Sequence, residues 1–516
     1  MSKLPKGWII ARLEEIAQVN PRLDKSEIDS DLEVSFVPMP AVEAESGKID
    51  VSAKRRFSEV VKGYTGFKAK DILFAKITPC MENGKMAVVP EVHGGLGFGS
   101  TEFHVLRPAK GIVPKYLYFF VSSKSFRMNA EHNMTGAVGQ RRVPTTYFSQ
   151  ADIPLPPSAE QLRIVAKLEE LFSELDAGVA NLKKARAQLA VYRQALLKDA
   201  IEGKLTAKWR ASNPNLVESG GLLLLRIKAD RRKRWEKTQL LKFKTSGKEP
   251  PSNWKTIYVD PVAPEAVELP PLPQGWAAAS MDSLTSRITS GSRDWLKYYG
   301  SGSGTFIMAQ NVRPGRFDMS FRQTVNPPAG DSSCERSMVA RDDLLVTIVG
   351  ANTGDVCRVP DELSEHYVCQ SVALMRPVES ATGRYLDKYF NSLGGGQLHF
   401  RRYLYGAGRP HLSFDQLKMT PVLLPPIAEQ EVIVEVVETQ SSNIAALEAD
   451  IDLNLQKAEA LRQSILKKAF AGELVPQDPA DESAAALPAR IRAEREAQAA
   501  AAGVAKAGKP RKIKAP

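Results

Sequence analysis

The residues of this chain best suited to chemistry are cations and aromatics set in glycine-containing loops. In the first part of the chain they are Lys54, Arg55, Arg56, Lys76, Gln140, Arg141 and Arg142, the last three directly after Gly139. Further on they are Arg293, Lys297, Tyr298, Tyr299, Arg313, Arg316, Arg322, Arg401, Arg402 and Arg409. An arginine fork can hold the major-groove edge of guanine with two hydrogen bonds, whereas lysine mostly meets phosphate as a point charge. The clustering, more than any single residue, points to nucleic-acid contact. The charge balance agrees: 70 Lys and Arg against 59 Asp and Glu leave a net charge of +11. That is a modest argument for an acidic partner.

Residues that would carry out a reaction do not form a recognisable constellation. The glycine-rich stretch at 94–101 lacks the lysine of a phosphate-binding loop and reads as a turn, and GSGSGT at 300–305 reads as a flexible loop. Asn326-Pro327-Pro328 resembles the start of the motif with which amino-methyltransferases hold a flipped base, but Ala329 stands where the stacking aromatic belongs. The six histidines show no paired spacing, and Cys357, His366 and Cys369 lack a fourth zinc ligand. No metal site and no catalytic residue is expected. The four cysteines contain no CxxC pair and suit unbridged thiols in a reducing compartment. No run of eighteen apolar residues or apolar signal core appears, so the expected location is cytoplasmic, without membrane contact.

The elements that must position these residues come in two copies. Glu160-Gln161 recurs at Glu429-Gln430, Arg193-Gln194 at Arg462-Gln463, and Gly203 at Gly472, all at a spacing of 269. Upstream, Pro156-Pro157 matches Pro425-Pro426, Arg107-Pro108 matches Arg376-Pro377, and Tyr116-Leu117 matches Tyr385-Leu386. LPKGW at Leu4 to Trp8 returns as LPQGW at Leu272 to Trp276. A constant offset over so much chain means duplication of one unit of about 200 residues.

Each copy ends in a stretch that reads as one long helix, 158–203 and 427–472. In the first, Val165, Leu168, Phe172, Leu175, Val179, Leu182, Leu189 and Leu196 step by three and four, with breaks at Arg186 and Arg193. In the second, Val434, Val437, Ile444, Ile451, Leu455, Ala458 and Ile465 keep the register, with Ser441, Glu448 and Arg462 as the breaks. This is a coiled-coil seam, and it favours pairing of the two helices with each other. At 1.5 Å per residue each would run roughly 65 to 70 Å, too long for burial in one small domain.

The fold expected is therefore α+β. A mixed domain of short strands and helices spans residues 1–157, and a second one spans 271–426. Between the first long helix and the second domain, residues 205–270 read as a linker with a short basic helix. It has no evident counterpart elsewhere. Its cluster Arg231-Arg232-Lys233-Arg234 is either a phosphate contact or a solvated helix face. From 476 to 516 runs an alanine-rich basic tail, expected to be partly disordered.

Two diverged domains, each opened by LPxGW and closed by a proline turn into AEQ and a long helix ending RQ(A/S)(L/I)LK, resemble the specificity subunits of type I restriction-modification systems. The resemblance covers residues 1 to 475. It implies that each domain is a target recognition domain reading one half of a bipartite, asymmetric DNA sequence. It also implies that the long helices form an antiparallel coiled coil that spaces the domains and docks two methyltransferase subunits. S-adenosylmethionine, and ATP with Mg for any restriction subunits, would then be held by those partners and not by this chain. The competing reading is a coiled-coil scaffold protein without DNA readout.

Overall fold

The computed structural model describes residues 4 to 507 apart from 26, 27, 138, 216, 267, 268, 361, 362, 364 and 405–409. It divides into two compact units, one running to Lys183 and resuming at Asp452, the other spanning Lys184–Ile451. Two pseudo-repeated mixed α/β domains are joined by two long helices, Ser158–Ile201 and Ile427–Ala471, that pack together.

In the first unit a four-stranded antiparallel sheet runs in the order Ala17–Val19, Phe103–Pro108, Ile72–Ala75, Met86–Val88. A second, mixed sheet has the order Lys54–Arg56, Glu33–Val37, Gly97–Gly99, Thr65–Phe67. Every residue of Ile72–Ala75 is buried. Because successive side chains leave a strand on opposite faces, Ile72 and Phe74 join the core beside the helices while Leu73 and Ala75 join the core beside the second sheet. The second unit repeats the plan. Its main sheet runs Thr285–Ser290, Val372–Pro377, Leu344–Thr347, Val356–Arg358. There Leu344 and Val346 face one core and Leu345 the other.

Of the two glycine-rich stretches expected as turn and loop, the first begins in a short turn at His93–Gly95 and then enters a strand, and the second is strand throughout. Gly97–Gly99 lies in the second sheet, and GSGSGT lies within the strand Tyr299–Ile307. The reason is close approach. A Cβ at Gly97 would enter the Phe67 ring, and one at Gly302 would strike the carbonyl of Val325.

The repeated residue pairs are joints of the framework. Tyr116 donates its hydroxyl to the Pro154 carbonyl, and Tyr385 donates to that of Leu423, each at 2.6 Å. Arg107 grips Asp71 with two bonds and Arg376 grips Asp343 likewise, tying strand to acidic turn. The side-chain oxygen of Gln463 accepts from the Lys124 backbone N–H, and that of Gln194 accepts from the N–H of Leu393, so the Gln of each RQ motif holds a domain onto the end of a long helix.

All the predicted seam residues are buried or half-buried. In the first unit the start of the first long helix shares a core with the end of the second, Phe172 beside Leu466 and Ala469. In the second unit the end of the first helix, Leu196 to Ile201, shares a core with Ile433, Val434, Val437 and Ile444 at the start of the second. Start against end makes the pair antiparallel. The seam breaks are also matched: Arg193 meets Glu448 at 3.0 Å, and Arg462 pairs with Asp176 and lies 4.4 Å from the Phe172 ring.

The segment after the first long helix does have a counterpart, which corrects the reading of it as unique. Its helix, Gly220–Thr245, is 26 residues long and buries Leu223 and Ile227 against the short helix Met281–Leu284. The helix Ala486–Ala507 buries Leu487 and Ile491 against the equivalent Leu13–Ile16. Both carry the pattern LxxRI(K/R)A(D/E)R, ending at Arg231 and at Arg495. Arg226 pairs with Glu218 as Arg490 pairs with Glu482. Arg231 bonds the Thr285 carbonyl and Asp282, while Arg495 bonds the Glu14 carbonyl. Residues 508–516, the last of the tail expected to be disordered, lie outside the described residues.

Candidate nucleic-acid interface

In the first domain the loop 135–143 is laid against residues 76–78 by backbone pairing of Arg142 with Ile77 and Thr135. Gly136 and Gly139 take φ of +120° and +81°, backbone that glycine adopts without strain. Arg142 donates from Nε and Nη2 to the two oxygens of Glu102, both at 2.9 Å, and from Nη1 to the Gln140 carbonyl at 3.1 Å. One N–H on each terminal nitrogen stays available on this half-exposed side chain. The bond from Arg142 holds the Glu102 carboxyl below its ordinary pKa. Lys76 follows the same strand, and Arg141 lies 3.7 Å from Glu131. Lys76, Gln140, Arg141 and Arg142 are thus brought to one loop cluster.

Lys54, Arg55 and Arg56 sit elsewhere in this domain, on the exposed edge strand of the second sheet. Lys54 and Arg56 lie 3.7 Å from Glu33 and Asp31, and Arg55 stacks 3.9 Å above the Phe36 ring.

In the second domain the candidates form three groups. Arg293 and Tyr299 line a cavity of about 710 Å³ floored by Trp295 and Phe306, with Lys297 over the neighbouring Tyr298 ring at 4.8 Å. Arg313 and Arg316 flank a two-residue turn between short strands, with Arg316 at 3.0 Å from Asp318; Arg322 lies exposed beyond it. Arg401 and Arg402 are adjacent in the last turn of the helix Gly396–Leu404. Arg409 lies outside the described residues.

Sequence reasoning overlooked Glu102, which orients Arg142, and Arg287, a half-buried arginine whose equivalent in the first copy is Gln18. Alignment of the two copies held the signal for Arg287; for Glu102 there was none, because its partner lies 40 residues away. Among the described residues no group of three potential metal ligands comes together, and no helix is long and apolar enough to cross a membrane.

The geometry, two homologous domains with positioned cations in loops, defines a class, and comparison with known proteins specifies it. The family described as "Type I restriction modification DNA specificity domain" matches residues 5–184. The EcoAI specificity subunit of Escherichia coli is 28% identical, over 90% of this chain and 83% of its own length. The EcoKI specificity subunit of Escherichia coli K12 is 26% identical over 96% and 97%. Among solved structures, a chain from a type I R-M system studied for complex assembly and conformational transition superposes with a TM-score of 0.67 at 20% identity, covering 92% of this chain and all of that one. The HsdS subunit from Thermoanaerobacter tengcongensis gives 0.51 at 21%, covering 92% and 98%, so the fold is shared. This chain belongs to the specificity subunits of type I restriction-modification systems, the non-catalytic components of those complexes.

Proposed function

We propose that the two domains read the two halves of a bipartite, asymmetric DNA target, and that the long helices space the readers and dock methyltransferase subunits. One observation carries this reading. The framework joints recur at equivalent places in both copies, whereas the loop residues they present differ: where the first copy places Arg142 against Ile77, the second places His411 against Val349. A conserved frame with diverged loops suits two readers of unlike sequence. Cations at loop tips would supply base-edge and phosphate contacts. S-adenosylmethionine, and ATP with Mg where a restriction subunit is present, would be held by the partners.

The test is co-expression with the methyltransferase subunit of the same system in a host lacking adenine methylation, followed by single-molecule mapping of N6-methyladenine. A split motif of two unlike halves with a fixed gap, lost when this chain is omitted, is the expected result. A stable complex that neither methylates nor binds DNA in a salt-dependent way would leave the scaffold reading instead.

A further inference from the structure

The helix Gly220–Thr245 and the helix Ala486–Ala507 are equivalent up to Arg231 and Arg495, and then they diverge. After Arg495 the chain continues Glu-Ala-Gln-Ala and reaches its next basic residue only at Lys506. After Arg231 it continues Arg232-Lys233-Arg234-Trp235 and goes on to Lys237, Lys242 and Lys244. Trp235 stacks on Trp254 at 5.9 Å, so the returning segment braces this basic extension.

The extension faces a groove of about 730 Å³ shared with the sheet edge of its own domain. Of the thirteen residues lining it, six are cations, namely Arg231, Arg234, Lys237, Lys242, Arg287 and Arg376, and none is acidic. Arg231 is spent on Asp282 and Arg376 on Asp343. Arg234, Lys237, Lys242 and Arg287 make no side-chain hydrogen bond or ion pair among the described residues.

Arg287 is the telling member. It is half-buried and stands directly across the strands from Arg376, and while Asp343 is bonded to Arg376, Arg287 has no bonded partner of its own among the described residues. Desolvation first, and then the neighbouring Arg376, lower its pKa, with Asp343 offsetting part of that. At the equivalent place the first copy sets neutral Gln18 opposite Arg107, so the fold does not need a charge there.

We propose that this groove is a phosphodiester-binding site, gripping the DNA backbone beside the half-site read by the second domain without reading bases. Lysines and arginines spaced along one helix face, with no carboxylate among the lining residues, suit the successive phosphates of a DNA strand. The proposal rests on the DNA-reading function proposed above and adds a contact on one side only.

The test uses the full chain assembled with its methyltransferase subunits and a duplex carrying the mapped target, with dissociation constants measured from 50 to 300 mM KCl. Each lost phosphate contact lowers the slope of log K against log salt by about 0.9. Arg234→Gln/Lys237→Gln/Lys242→Gln, all at exposed positions, should lower it by about two to three, with the methylated motif unchanged. Arg287→Gln, which installs the side chain the first copy tolerates, should lower it by about one. Slopes equal to wild type overturn the proposal, as does a changed motif, which would make this a base reader. Unchanged slopes with loss of methyltransferase co-purification would assign the groove to a protein partner instead. If the wild-type complex itself lacks salt-dependent binding, it is the DNA-reading function that fails.

Discussion

Trp8 donates its indole N–H to Glu160 at 3.0 Å, and Trp276 donates in the same way to Glu429 at 2.8 Å. The tryptophan closes LPxGW and the glutamate opens the long helix, so two motifs some 150 residues apart form one buried joint, made twice. The remaining donors differ. Gln477 reaches Glu160, while Thr206 and Arg210 reach Glu429, which is fully buried. Glu429→Ala would strand a largely buried guanidinium and should cost about 3–5 kcal/mol. Glu160→Ala removes a partner from uncharged donors only and should cost about 1–3 kcal/mol. Urea unfolding of the two variants measures the difference, and equal losses would count against this account.

Arg193 and Glu448 each interrupt an apolar seam, and they do so opposite one another. Both remain partly exposed, so their coupling should be small, about 0.5–1 kcal/mol. A double-mutant cycle with Arg193→Glu and Glu448→Arg measures it. Each single exchange should destabilise and the double exchange should recover most of the loss; strictly additive effects would mean that the pair does not interact.

Much of this frame was legible because the duplication acts as an internal control. A residue that returns at a fixed spacing, such as Tyr116 and Tyr385, is held in place by the fold both times. The LxxRI(K/R)A(D/E)R helices were equally legible but lie at a spacing of 264 and not 269, so a search tied to one offset passes over them. The glycine strands were misread because close backbone approach and turn flexibility leave the same residue type. The partners of the loop cations were not legible, since Glu102 and Arg142 meet only through the sheet.

His104 is buried against the ring of Phe148, with Phe74 alongside, and its Nε2 lies 2.8 Å from the Val143 carbonyl. Burial pulls its pKa down to about 4, against an ordinary value near 6.5. The folded state therefore prefers the neutral ring. Its contribution is fully present above pH 6.5 and is lost as pH falls from 6.5 toward 4, by on the order of 3 kcal/mol. Thermal melts of the whole chain between pH 7.5 and 4.5 should show the first unit losing stability toward acid. His104→Phe should flatten that dependence, and a slope unaffected by the substitution would assign it to other groups.

Arg142 is locked by Glu102 and Arg141 is not, although both belong to one loop. Arg141→Ala together with Arg142→Ala should relax or abolish recognition of one half-site, leaving the other half of the methylated motif as in wild type. Glu102→Gln should weaken the same half-site less, because it loosens Arg142 without removing it. Motif maps of the three variants decide the matter. Simultaneous loss of both half-sites in a stably folded complex would show that the domains do not read independently.

The proposed spacer role depends on helix length and is open to a direct test. Removing one heptad from the middle of each long helix keeps the apolar seam in phase, because the pattern repeats every seven residues. Each helix then shortens by about 10 Å, which corresponds to about three base pairs of rise along the duplex. The loops that contact DNA are untouched. The methylated motif should therefore keep both half-sites and lose about three base pairs from the gap, or demand a matching redesigned duplex before binding is restored. If the gap stays at its wild-type length while the variant folds and methylates, something other than these helices sets it.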